Sequence, residues 1–473
     1  MHEARGPGQP NYFGPWNSVD TEGAAPLPAD PSRDKLKTMP PDAPPAIPDG
    51  SNTVSLWGNR NYLYLFAAQI ISLLGSGVTT VGLALFAYRL TGGASASAVI
   101  GNALMLRILA FLLVSQPAGV IADRVSRKKV LIAADVVRFA LLTVFPFITT
   151  VWQIYALIFL INAVTAFFTP TFEASIPEVV GNQHYVKALS LSRVAVDVEA
   201  VAAPAVAGLL LARFGLQWAF WFDALTYLVS AVLLAFTAMP YVEKVAAPLS
   251  RRIFLDELQT GTRVLLREPS LRQALVLSIA EATAGAAAIV ATVAYVRDVL
   301  GRGDTAYALT MAVLGLGSTA SAILLGRATG RYEQSARAKS DLHGRRHTWA
   351  QRALVAGGLT LGAVLLPGAL APPLFVFALL WFFNGAGQAL IAIPSSTLLA
   401  EHTHERERGR AYAAHFALTH ACWLVTYPAI GHAAVQFGTP VTFTVAGAIC
   451  VLITALAAAL GRGMNTAHVH EAT

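Results

Sequence analysis

Cysteine is nearly absent from this sequence. Only Cys422 and Cys450 occur, both inside apolar runs, so no disulfide framework is implied. Charge is scarce as well: Asp, Glu, Lys and Arg make up 13% of the 473 residues, against 55% hydrophobic. That balance excludes an ordinary soluble domain, because a single core cannot hide so much apolar surface. The sequence has no Walker-type phosphate loop and no HExxH pair, so neither bound ATP nor zinc-protease chemistry is expected. The string "GLGSTA" at 315–320 mimics a dinucleotide fingerprint, but it sits inside an apolar run with no strand before it. Residues 1–55 lack any sustained apolar period, and eleven of the 25 prolines fall within the first fifty. They read as a disordered tail, without the basic start and short apolar core of a signal peptide.

What the sequence does have is length in its apolar runs. Runs of about twenty residues suit transmembrane helices, and lipid forces each one to satisfy its backbone internally. Twelve are expected, at roughly 62–90, 97–118, 130–149, 152–172, 187–212, 217–238, 273–296, 305–327, 352–369, 373–397, 410–435 and 439–461. The longest charged gap, 239–272, divides them into an N-terminal half (56–238) and a C-terminal half (273–462), with a short tail at 463–473. The gap itself reads as a cytoplasmic linker with an amphipathic helix. If the N-terminus is cytoplasmic, 28 of the 34 Lys and Arg fall in the tails and even-numbered loops, and only Arg89, Arg213, Arg297 and Arg302 on the opposite side. Basic residues near helix ends favour the cytoplasm, so both termini are expected there. The net charge of +7 is therefore topogenic and does not point to nucleic acid.

One loop breaks the apolar monotony. "GVIADRVSRKK", residues 119–129, packs five charges into its last seven positions. A faded copy, "GRATGR" at 326–331, follows the second span of the second half, with Gly330 where Asp123 stood. Internal repeats of this kind suit transporters with a site between the halves. The pattern GxxxDRxxRKK after a second membrane span resembles the signature loop of the major facilitator superfamily, with Gly119, Asp123, Arg124, Arg127 and Lys128 all matching. The resemblance covers about residues 55–462. "LIAADVVR", "FFTPTFEASIPEVV", "FLDELQTGTRVLLREPSLR" and "RERGRA" resemble the drug:proton antiporter branch that includes macrolide-efflux proteins, and "ALSLSRVAVDVEAVAAP" looks more like nickel-resistance exporters. The Gly-Pro and Gly-Gly of the antiporter motif are reduced here to Pro204 and Gly208. The resemblance implies an all-α membrane protein of two pseudo-symmetric six-helix halves, with the opening loop acting as a cytoplasmic latch between them. Asp123 would sit near the N-terminal end of the eleventh span, where a negative charge meets the helix dipole.

Charges inside the spans cost on the order of 2.5–3.5 kcal/mol each, even on a lenient scale. Asp135 and Arg138, one turn apart in the third span, are expected to extend the latch. Arg193 and Asp197 can pair at i,i+4. Glu199 has no such local cation, so Arg107 of the second span is expected to face Glu199 or Asp197 across a cavity. A carboxylate so placed can exchange a proton for a substrate. Asp223 and Glu281 are further candidates. Pro204, which cannot donate to Ala200, should kink the fifth span, with Gly208 four residues on along the same face.

In the eleventh span His415 and Cys422 share a face at i,i+7, with His420 about 140° from His415. Imidazole and thiolate suit nickel, cobalt, zinc or copper. Two further pairs, His402 with His404 and His468 with His470, fall in cytoplasmic segments. The expected function is that of a multi-pass exporter in the cytoplasmic membrane. It would use protons as the driving partner, lipid as solvent, a small molecule or drug as cargo and no cofactor. Divalent-metal export and a non-transporting receptor or scaffold are the alternatives. The intact loop and the buried charges favour transport, because a scaffold needs neither.

Overall fold

The computed structural model describes residues 56–239, 251–336, 342–404 and 407–462. The proline-rich tail, the first part of the linker and residues 463–473 lie outside them, as do the side chains of 115–124 and of Arg193 and Asp197. The described chain is α-helical. Helix α1, Arg60–Thr91, starts where Asn59 Oδ1 accepts the free backbone N–H groups of Asn61 and Tyr62, and stops at Gly92, whose φ is 69°. Helix α2, Ser95–Arg124, returns antiparallel to it. The two-residue turn Val125–Ser126 then leads into α3, Arg127–Val144.

Val151–Arg213 runs as one hydrogen-bonded stretch of 63 residues, broken at Gly181 (φ 72°, ψ 167°). Only glycine adopts that conformation readily, so the stretch is two helices: α4, Val151–Gly181, and α5, Gln183–Arg213. Helix α6, Gln217–Phe236, closes the first bundle. The amphipathic helix α7, Arg251–Arg267, follows. The second bundle consists of α8 (Pro269–Ala294), α9 (Asp304–Ala336), α10 (Leu342–Leu365), α11 (Leu374–His402), α12 (Arg408–Phe437) and α13 (Thr439–Arg462). Helix α8 ends in a π-helical turn, Tyr295–Val299.

Eleven helices among the described residues are long and apolar enough to cross a membrane. Helix α12 is not among them, although it is 30 residues long. Its three histidines, two tyrosines and tryptophan dilute its apolarity. Each bundle is held at the same end by aromatic packing. In the first, Phe145 stacks on Phe220 at 4.2 Å with Phe86 edge-on to both. In the second, Tyr295, Phe377, Trp381 and Phe443 pack together, and Tyr295 Oη donates to Gly368 O at 2.6 Å. Such pairs add about 0.5–1.5 kcal/mol each beyond area burial.

The bundles meet along two equivalent seams, α2 with α12 and α5 with α9. Each is sealed by glycine. A Cβ on Gly101 of α2 would lie 2.4 Å from Tyr427 O, and one on Gly315 of α9 would lie 2.3 Å from Ala200 O. Ala200 is the residue whose carbonyl Pro204 leaves without its helical partner. Helix α7 packs on α12, where Gly261 comes against Arg410 O.

Candidate functional site

The site is built on α1, because its glycine-rich middle, Gly75–Ser76–Gly77, lets two other helices come close on different sides. A Cβ at Gly77 would lie 2.0 Å from Glu199 Oε1, so the Glu199 carboxyl of α5 occupies the space that Gly77 leaves. Two residues back, a Cβ at Gly75 would lie 2.4 Å from Asp223 Oδ1 of α6. Residues two apart on a helix point in nearly opposite directions, so α1 separates the two carboxylates.

Arg107 of α2 lies within electrostatic reach of Glu199 in its own bundle and of His420 and Tyr427 on α12 in the other. Among the described residues no ion pair within 4.0 Å holds it, and its side chain is exposed. Glu281 of α8 stands near Cys422, with no basic residue paired to it among the described residues. The Trp423 ring fills the place beside Gly285, where a Cβ would meet it at 2.1 Å. Two sets of neighbours therefore lie near the seam: Arg107 with Glu199, His420 and Tyr427, and Glu281 with Cys422.

At the Arg89 end, opposite the α2–α3 turn, charges tie the halves together. Arg89 Nη2 of α1 pairs with Asp304 Oδ2 of α9 at 2.7 Å. Arg297 Nη1 pairs with Asp304 Oδ1 at 3.0 Å. Tyr88 Oη donates to Asp298, and Arg297 lies over the Tyr88 ring at 5.3 Å. Arg297 and Asp298 belong to the π-helical turn, a local geometry that re-aims side chains. Sequence reading noted Arg89 and Arg297 only as rare basic residues on the far side. Their shared partner Asp304 was not singled out in the sequence.

Residues 65–369 and 336–471 match the Major Facilitator Superfamily. The chain belongs to the major facilitator superfamily. It is 24% identical over 410 residues to the uncharacterized MFS-type transporter YfiS of Bacillus subtilis (strain 168), covering 83% of this chain and 91% of that one. It is 27% identical over 212 residues to macrolide efflux protein A of Streptococcus pyogenes, covering 44% of this chain and 51% of that protein. Among solved structures, a mutant of the nucleoside transporter NupG superposes with TM-score 0.66 at 13% identity, covering 85% of this chain and 99% of that one. The peptide transporter POT in complex with sulfate superposes with TM-score 0.63 at 14% identity, covering 86% and 96%. At these identities the structures show the fold alone. The protein is a multi-pass cell-membrane transporter of the superfamily.

Within that fold the expected residues divide. Gly119, Asp123 and Arg124 fall in the last turns of α2, where the backbone is helical and the side chains lie outside the description. The faded copy falls likewise in the last turns of α9. Arg127 pairs with Glu178 of α4 at 2.6 Å and donates to Ala174 O, while Lys128 Nζ donates to Ala235 O of α6 at 2.6 Å. These contacts pair the start of α3 with α4 and α6, and they stay within the first bundle. Asp135 and Arg138, expected to extend the latch, are instead buried among α1, α3, α4 and α6, with Arg138 between the rings of Phe168 and Tyr227. The physical reason is that both point to the bundle interior, where Asp135 and two aromatic faces take the guanidinium and a second acid, Asp223, stands within electrostatic reach. The Asp197 side chain lies outside the description.

On α12, His420 stacks on Phe416 at 3.7 Å, with Nδ1 2.8 Å from Phe416 O, and Cys422 Sγ donates to Leu418 O at 3.3 Å. Among the described residues no group of three or more His, Cys, Asp or Glu could hold a metal ion. His415 and Cys422 share a helix face, yet their polar atoms do not converge with a third ligand.

Proposed function

We propose that this transporter exports a small organic molecule in exchange for protons, with Glu199 as the exchanging carboxylate and Arg107 as its counter-charge. The observation that carries this reading is the position of Arg107. It lies between an acid of one bundle and polar groups of the other, at the seam that alternating access must open and close. The likeness to macrolide efflux protein A supports export. With the Arg127 end cytoplasmic, the charged clamp at the Arg89 end closes the outer mouth, so this structure is the state open to the cytoplasm. A proton arriving at Glu199 releases it from Arg107, and substrate then competes for that guanidinium. Helix α1 carries both the seat of Glu199 and two clamp residues, so a shift at one is felt at the other.

The test is reconstitution into vesicles with an imposed pH gradient, using a panel of drugs and of nickel and cobalt salts. Wild type is expected to drive uphill efflux of an organic substrate, and Glu199→Gln to abolish it while substrate binding persists. Uphill transport surviving in Glu199→Gln removes Glu199 from the role. Efflux of metal salts alone transfers the cargo assignment to the His415, His420 and Cys422 face.

A further inference from the structure

The first bundle contains a set of charges that does not balance. Asp135, Arg138 and Asp223 are 0%, 3% and 1% exposed. They are two carboxylates and one guanidinium, in electrostatic contact with one another. The groups packed around them from every side are Ser76 and Thr79 of α1, Phe168 of α4, and Thr226, Tyr227 and Ser230 of α6. None of these is a cation, and among the described residues no second cation reaches the two carboxylates. Arg138 bonds Asp135, and its flat faces are taken by the Phe168 and Tyr227 rings, each 4.2 Å away. One negative charge therefore remains in a dry bundle core, where an uncompensated charge is strongly unfavourable.

The hydrogen bonds around the triad are incomplete as well. Thr226 has one hydroxyl proton, and the Asp223 carbonyl takes it at 2.7 Å, while Asp223 Oδ1 is 3.3 Å away. Ser76 Oγ donates to Ser72 O at 2.9 Å, so the 2.8 Å bond between Ser76 and Tyr227 uses the Tyr227 proton. Asp135 Oδ2, Thr79 Oγ1, Ser230 Oγ and Arg138 Nε are buried with no hydrogen-bond partner within bonding distance among the described residues. Ser230 faces Asp135, and Thr79 faces Asp223. The shell around the two carboxylates is thus incompletely paired, and buried polar groups left so call for a physical reason.

We propose that this cluster is a proton-binding site, holding one dissociable proton carried by Asp223 or Asp135 inside the first bundle and apart from the Glu199 cavity. One proton makes the triad neutral. Loss of that proton leaves a carboxylate whose oxygen rests against Gly75. Strain there is passed to α1, which seats Glu199 at Gly77 and carries the outer clamp at Tyr88 and Arg89. The site stands on the geometry of the bundle and does not depend on the direction or cargo of transport.

The experiment uses the full-length protein in lipid nanodiscs, carrying Glu199→Gln and Glu281→Gln so that these two intramembrane carboxylates are silent. Infrared difference spectra are recorded between mildly acidic and mildly alkaline buffer. The parent is expected to show a protonated-carboxyl C=O band that titrates away, with about one proton released per chain. Asp223→Asn and Asp135→Asn are each expected to abolish the band, because the remaining carboxylate then balances Arg138 one to one. A band that survives either substitution overturns the proposal. A band removed by sodium at constant pH also overturns it, in favour of a cation site. If the Asn variants do not fold, Thr79→Val and Ser230→Ala keep all three charges and are expected to retain the band with a displaced midpoint. Unchanged midpoints in both count against the site.

Discussion

At the scale of single residues, glycine decides how close the two halves come. Gly315 meets the backbone of Ala200, and a backbone oxygen cannot swing aside as a long side chain can. Gly315→Ala therefore forces the α5–α9 seam apart. The expected cost is about 1–3 kcal/mol, as for overpacking elsewhere. Thermal unfolding in detergent should fall accordingly, while Gly326→Ala, where a Cβ would meet nothing within 4 Å, should leave it unchanged. Gly101→Ala is expected to match Gly315→Ala, because it stands at the equivalent position of the other seam, against Tyr427 O. These glycines were not singled out in the sequence. Gly315 was read only as part of a discounted nucleotide-like string, and nothing local marks a glycine as an interface residue until its neighbour is known.

At the scale of elements, α1 and the π-helical turn after α8 form a clamp that a few charges can release. Asp304 serves two arginines, one from each half. The pairs are partly exposed, with the Arg89 side chain 54% accessible, so each contributes only about 0.2–1 kcal/mol. Asp304→Asn is nonetheless expected to shift the balance between the two access states by a few-fold, since about 1 kcal/mol is a factor of roughly five. Cysteine labelling at the Arg89 end should increase, and raised salt should do the same to wild type by screening. Unchanged labelling in both would show that the aromatic clusters, not the ion pairs, hold that end closed. The linker between the halves carries a helix of its own, Arg251–Arg267.

At the scale of the whole molecule, sidedness and span count follow from charge and from α12. This helix falls short of the others in apolarity yet packs between α2, α7 and α8, where protein rather than lipid surrounds much of it. We expect it to cross the membrane as the eleventh of twelve spans, placing both termini in the cytoplasm. Reporter tags at Met1 and Thr473 should both read cytoplasmic, and opposite readings would return the count to eleven. The loop at 119–129 bears on the same scale. Asp123→Asn is expected to leave insertion intact, because orientation rests on Arg124, Arg127, Lys128 and Lys129. It should slow alternation, measured as transport rate at constant membrane content.

Composition and the length of apolar runs were enough by themselves to determine that this is an all-helical membrane chain in two halves, because lipid leaves the backbone few alternatives. The signature loop carried the family, since its charges lie at fixed spacing along a short stretch. The scarcity of intramembrane charge marked Arg107, Glu199, Asp223 and Glu281 as worth notice, because each is expensive where it stands. Which of them meet was decided only by the packing. Helical spacing says which residues share a face of one helix and nothing about what lies opposite. Tertiary structure placed Arg107 across from Glu199 and α12, drew Asp135 and Arg138 away from the loop and into company with Asp223, and joined Arg89 to Asp304 over 215 residues of sequence.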